Sequence, residues 1–252
     1  MHRFYSPDIA LTLTLPEEES RHCVRVLRLA EGDEIEVVDG RGNLHTCRVA
    51  LAHAKHCKVE IAGTKHAPPH WGQQIVLAVA PTKNLDRMED MADRVTEMGV
   101  DRIIPLLCQN NERKVLKTER LQKILVSAMK QSLKATLPRL DEMTPFKQLM
   151  AMPFKGNRFI AYTDPMLPRE RRKTLAQAYE PGTDTMLAIG PEGDFSPSEI
   201  EAALEASFIP VSLGQSRLRT ETAAMYAVAI CHAIEQSKGT LSFPKTQHEE
   251  IK

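Results

Sequence analysis

QIVLAVAPTKNLDRMEDMADRVTEMGVDRIIPLL, residues 74–107, decides the fold class. After Gln74, residues 75–80 form an apolar run of the length of a buried strand. Leu85, Met88, Met91, Ala92, Val95 and Met98 then recur at helical spacing, which predicts an amphipathic helix over 85–98. DRIIPLL, 101–107, reads as the next strand, so the segment is a strand–helix–strand unit. The form recurs down the chain. A basic helix is predicted over 118–134; RFIAYTD (158–164) leads to a helix from Arg169, MLAIGPEGD (186–194) to one over 196–206, and FIPVSLG (208–214) to one over 220–237. Strands alternating with helices predict an α/β domain on a mostly parallel sheet with right-handed crossovers.

Towards the amino terminus the period changes. EEESRHCVRVL (17–27), acidic in its first turn, predicts a short helix. EIEVVDGRGNLHTCRVALA (34–52) and CKVEIAG (57–63) alternate in polarity, with a glycine-rich hairpin turn at 39–43. That pattern predicts a small antiparallel β domain or barrel over 1–70. HAPPHWG (66–72), with its paired prolines, is the linker candidate, and the α/β domain is expected over 73–252.

The whole chain has 252 residues, 42% of them hydrophobic and 26% charged, which excludes a disordered chain. Its longest apolar runs fall far short of the ~20 residues of a membrane-crossing helix. With no signal peptide legible at the amino terminus, a cytoplasmic protein is expected. Cys23, Cys47, Cys57, Cys108 and Cys231 are scattered and contain no CxxC pair, so buried, reduced thiols are expected. His45, Cys47, His53, His56 and Cys57 lie close together but lack the spacing of a zinc site, and no metal is expected. The formal charge is zero but uneven: eight basic residues between Arg113 and Arg139 stand against Glu119 alone. Such a focused patch attracts a polyanion even on a neutral protein, or is simply a solvated helix face.

Parallel sheets bind ligands at the carboxyl ends of their strands, which directs attention to three loops. In Ile189-Gly190-Pro191-Glu192-Gly193-Asp194-Phe195 two glycines flank Pro-Glu, so a ligand can approach main-chain amides closely. Ser196-Pro197-Ser198-Glu199 then has the form of a capping box with proline at the first helical position. In the loop 212–224, SLGQSRLRTETAA, Arg217 and Arg219 precede a helix amino terminus, where the macrodipole disfavours cations. The third loop, Ala161-Tyr162-Thr163-Asp164-Pro165, is a strand end plus turn. No GxxxxGK[ST] or GxGxxG pattern occurs, which disfavours a nucleotide-hydrolysing enzyme.

KNLDRMEDMADRVTEMGVDRIIPL (83–106), SAMKQS (127–132), IGPEGDFSPSE (189–199) and LGQSRLRTETAA (213–224) together resemble the bacterial 16S ribosomal-RNA uridine-N3 methyltransferases of the SPOUT superfamily. RHCVRVLRLAEGDEIEVVDGRGN (21–43) resembles their RNA-binding domain. The resemblance implies an amino-terminal PUA-like β-barrel, a SPOUT α/β domain with a deep trefoil knot, and a homodimer with its active site at the subunit interface. It implies S-adenosylmethionine as methyl donor and, as substrate, the uridine at position 1498 of 16S ribosomal RNA on the small ribosomal subunit. One departure is visible: Asp194 stands where the family commonly has a third glycine.

The resemblance also assigns roles. The donor is expected against Thr163, Ile189, Gly190, Pro191, Glu192, Gly193, Ser212, Leu213, Gly214, Leu218, Thr220, Thr222 and Ala223. Uridine N3 carries a proton at neutral pH, so the chemistry must remove it or stabilise the anion. Arg219 is the candidate for stabilising charge on the uracil oxygens, and Glu221 for the base, for holding Arg219, or for supporting the donor. RNA phosphates are expected on Arg21, Arg25 and Arg28 along the short helix, and on Arg113, Lys114, Lys130 and Lys134. Arg87 and Glu89 are expected in an intrahelical or interface salt bridge. The rival reading is a non-catalytic RNA-binding or ribosome-assembly factor that keeps the fold.

Overall fold

The computed structural model describes residues 1–163 and 172–238. The amino-terminal unit comprises β1 (Arg3–Tyr5), α1 (Ile9–Thr12), α2 (Glu17–Arg21), β2 (Glu34–Val38), β3 (Asn43–Leu51) and β4 (Lys58–His66). Its sheet runs β1-β2-β3-β4. β2, β3 and β4 are antiparallel neighbours, as the alternating runs predict, and the hairpin turns at 39–43. β1 departs from that expectation by pairing parallel to β2, because the helical connection between them returns the chain in its original direction. The predicted short helix is present, but α2 passes into a π-helical turn over His22–Val26. That turn ends the helix before Arg28, which adopts a left-handed φ of 57° instead of continuing the helical row of Arg21 and Arg25.

Alternation along β3 turns His45, Cys47 and Val49 inward together, which accounts for two of the five members of the histidine–cysteine cluster. The His45 ring bonds Thr64 Oγ1 at 2.8 Å, and burial pushes the Cys47 thiol up to about 11. His53 and His56 stack on each other, with ring centroids 3.6 Å apart.

The second unit follows as β5 (Ile75–Val79), α3 (Leu85–Met98), β6 (Arg102–Leu107), α4 (Thr118–Gln131), β7 (Arg139–Leu140), β8 (Thr144–Pro145), α5 (Phe146–Met150), β9 (Asn157–Ala161), α6 (Leu175–Ala178), β10 (Thr185–Ile189), α7 (Pro197–Glu205), β11 (Ile209–Val211) and α8 (Thr220–Lys238). The strands run β11-β9-β10-β5-β6-β7, with β8 also on β6, and every pair is parallel. All five residues of β5 and of β10 are buried, as a parallel sheet covered on both faces requires. Ile75, Leu77 and Val79 pack with α3, α4 and α8, while Val76 and Ala78 pack on the opposite face with α5 and α7. α4 stops at Gln131, short of the expected 134, because Leu133 turns left-handed at φ 58°. The helix expected from Arg169 begins outside the described residues. Among the described residues, no helix is long and apolar enough to cross a membrane.

The stretch 66–72 joins the two sheets but is not a free tether. Trp71 lies against Gly99, where an added Cβ would come within 2.6 Å of the ring, and its Nε1 donates to Asp101 Oδ2 at 3.0 Å. The two units also touch directly. Leu137 N donates to Gly40 O, Gly42 N to Ala135 O, and Val38 packs with Met129.

Candidate active site

β9 lies between β10 and β11, so the strand order brings the carboxyl ends of all three side by side. Their loops enclose a cavity of about 740 Å³. Ile189, Val211, Leu213 and Leu218 give it apolar wall; Gly190, Gly193 and Gly214 line it with main chain. Gly214, at φ +106° with open space beside it, holds a turn that a side chain would strain. Thr163, Pro191, Glu192, Ser212, Thr220 and Ala223 also line the cavity. Thr222 does not: it sits on the exposed side of the first turn of α8, between two residues that face inward.

The loops are fixed by hydrogen bonds from side chain to main chain. Thr220 Oγ1 donates to Gly190 O at 3.0 Å, tying the start of α8 to the end of β10. Glu192 accepts from Lys83 N at 3.0 Å, and Ser212 Oγ accepts from Gly214 N at 3.1 Å. The expected capping box is present, with Ser196 Oγ accepting from Glu199 N and Glu199 accepting from Ser196 N. Its glutamate also accepts from Gln109 N at 2.8 Å, linking it to the loop after β6.

The charged side chains come from two elements. Arg219 is exposed on the cavity wall and, like Arg217, makes no ion pair among the described residues. Glu221, 8% exposed, faces Arg87 in the first turn of α3, with Nε 3.8 Å from Oε1. Arg87 thus joins the cavity wall, and Glu221 reaches Arg87 rather than Arg219. Of the intrahelical and interface salt bridges expected for Arg87 and Glu89, the intrahelical one is absent among the described residues, since Glu89 meets Arg120 of α4 at 2.6 Å. In the sequence Arg87 is marked only by its position at the start of the helix after β5; the pairing of β5 with β10 is what brings it to the cavity.

The candidate phosphate ligands divide. Arg25, Arg28 and Lys114 are exposed and make no ion pair among the described residues, and Arg21 has only the exposed Glu17, at 3.7 Å. Lys130 instead binds Glu19 at 2.5 Å, joining α4 to the amino-terminal unit. Lys134 donates to Glu97 O at 2.6 Å, satisfying a carbonyl at the end of α3, and burial holds its pKa below the usual lysine range. Arg113 donates to the carbonyls of Thr82 and Lys83, at 3.2 and 2.7 Å, in the loop before α3.

Residues 69–232 match the family described as an RNA methyltransferase domain, and residues 15–62 match an RNA methyltransferase PUA domain. The chain belongs to the RNA methyltransferase family. A relative from Synechocystis, named ribosomal RNA small subunit methyltransferase E, is 31% identical over 91% of this chain and 75% of its own length. The crystal structure of a probable rRNA methyltransferase from Porphyromonas gingivalis is 41% identical, with a TM-score of 0.88 over 94% of this chain and 99% of that one. A small subunit methyltransferase E from Neisseria gonorrhoeae, solved bound to S-adenosyl methionine, is 28% identical, with a TM-score of 0.81 over 93% and 98% of the two chains. The family match starts just before β5 and spans every loop of the cavity.

Proposed function

We propose that this RNA methyltransferase uses S-adenosylmethionine to methylate N3 of a uridine in 16S ribosomal RNA, at position 1498, on the small ribosomal subunit in the cytoplasm. The observation that carries the reading is the convergence of three strand-end loops on one cavity whose wall holds both Arg219 and the Arg87–Glu221 pair. The cavity is large enough for a nucleoside-sized ligand, and its apolar walls beside open main chain suit an adenosine. Ile189, Leu213 and Leu218 would hold the base, and the main chain around Gly190, Gly193 and Gly214 its polar edges. When bound, S-adenosylmethionine supplies an electrophilic methyl group on a sulfonium.

The protein must then position N3 and deal with its proton. Among the described residues, three carboxylates line the cavity, those of Glu192, Asp194 and Glu221: Glu192 accepts from Lys83 N, and Asp194 from Thr163 N and Phe195 N. Glu221 accepts no hydrogen bond among the described residues and has only the long contact to Arg87, so it retains the capacity to take the N3 proton. Arg219, whose side chain makes no ion pair among the described residues, stabilises the charge left on the uracil oxygens. Arg87, 3.8 Å away, orients Glu221. The target base must leave its stack to reach this site.

The same reading makes residues 1–70 a PUA-like RNA-binding domain and 73–252 a knotted SPOUT domain. The seating of Thr220 against Gly190 O, which sets α8 across the loop leaving β10, supports the knot. The bridge from Thr14, which lies outside the four strands, to Lys58 of β4 supports closure of the first sheet into a barrel. A homodimer is part of the reading, and Tyr226, 48% exposed on α8, belongs to a face available for it. Incubating the protein with labelled donor and small subunits lacking the modification should place label in N3-methyluridine. Binding to the subunits with no donor affinity and no transfer would favour the non-catalytic factor instead.

A further inference from the structure

Asp194 combines two features that the capture of a donor does not by itself explain. Its backbone is left-handed, at φ 61°, a conformation that aspartate tolerates better than most residues and glycine adopts without strain. Its carboxylate bridges two amides: Oδ2 accepts from Thr163 N at 2.6 Å and Oδ1 from Phe195 N at 2.8 Å. Thr163 follows β9, whereas Asp194 follows β10, so the first bond crosses from one strand-end loop to the next. On the other side Asn110, in the loop after β6, donates its Nδ2 to the carbonyls of Gly193 and Asp194, both at 3.1 Å. Asp194 N closes the turn onto Pro191 O at 2.9 Å. Loops after β6, β10 and β9 are thereby tied in series, and Thr163, Gly193 and Asp194 all line the cavity.

We infer that Asp194 is a positioning residue for the donor: its carboxylate holds Thr163, just after β9, against the glycine loop, so that this part of the cavity is formed before the ligand arrives. This rests on the methyltransferase reading. A site that is only partly populated in its binding-competent form loses apparent affinity in proportion, so releasing the tie weakens binding of any ligand that uses both loops. A charge-assisted hydrogen bond to a main-chain amide is strong enough to shift such a population by about tenfold.

Asp194→Gly removes the carboxylate while permitting the observed backbone, so the tie is deleted without forcing the turn. The test is calorimetric titration of wild type and Asp194→Gly with S-adenosylmethionine and, separately, with S-adenosylhomocysteine, together with the rate of methyl transfer at saturating donor. The expected result is a rise of about tenfold in both dissociation constants and in the donor KM, with kcat within about twofold of wild type. Unchanged dissociation constants would overturn the inference. So would a loss confined to S-adenosylmethionine, because that marks a direct contact between the carboxylate and the sulfonium charge. A fall in kcat with affinity retained would overturn it as well. Wild type that binds neither ligand would instead remove the methyltransferase reading on which the inference stands.

Discussion

The segment 113–139 and the loop 212–221 both read as cationic in sequence, but the folded chain treats them differently. The first carries eight basic residues, yet Lys130, Lys134 and Arg113 are engaged by Glu19 and by main-chain carbonyls, and Arg120 by Glu89. The second carries only Arg217 and Arg219, and neither makes an ion pair among the described residues. A count of charges therefore overstates the first region and understates the second. Cations placed before a helix amino terminus, against its dipole and without a carboxylate beside them, are the ones left available to a ligand.

The contrast can be broken most severely at the cavity. Glu221→Gln removes the proposed base and the anionic partner of Arg87, and a loss of about 10²–10⁴ in kcat is expected in single-turnover methyl transfer. Lys130→Ala should act on stability instead. It leaves the buried Glu19 carboxylate without its cation, so a loss of about 2 kcal/mol in denaturant unfolding is expected, with the salt dependence of RNA binding unchanged. Arg25→Ala should do the reverse. An exposed residue with no ion pair among the described residues should leave unfolding within about 0.5 kcal/mol, weaken RNA binding a few-fold, and reduce the slope of log K against log salt by about one. If Lys130→Ala and Arg25→Ala gave the same salt slope and the same unfolding curve, the division of the basic residues would be wrong.

The two units differ in how much of them is legible in the sequence. α3 begins and ends where its apolar spacing puts it, because one face of fourteen residues is sorted by burial against the sheet. The capping box at Ser196 is equally local, since both of its bonds lie within four residues. By contrast, the three-residue β1 pairs with β2 only after a helical excursion, and nothing in so short a strand records its direction. The site shows the same divide. The glycines and Arg219 were legible because backbone freedom and a misplaced charge are properties of single positions. Arg87 with Glu221, and Asp194 with Thr163, are partners brought together by strand order, and their pairing is written in no single segment.

The central claim is that Arg219 acts on the RNA base at a cavity whose donor site stands without it. Calorimetric titration of wild type and Arg219→Ala with S-adenosylmethionine, paired with methyl transfer to unmodified small subunits, tests it most directly. Donor affinity within a few-fold of wild type together with a loss of about 10²–10³ in transfer is the predicted result. Full transfer by Arg219→Ala, or loss of donor binding alone accounting for the lost activity, would contradict it.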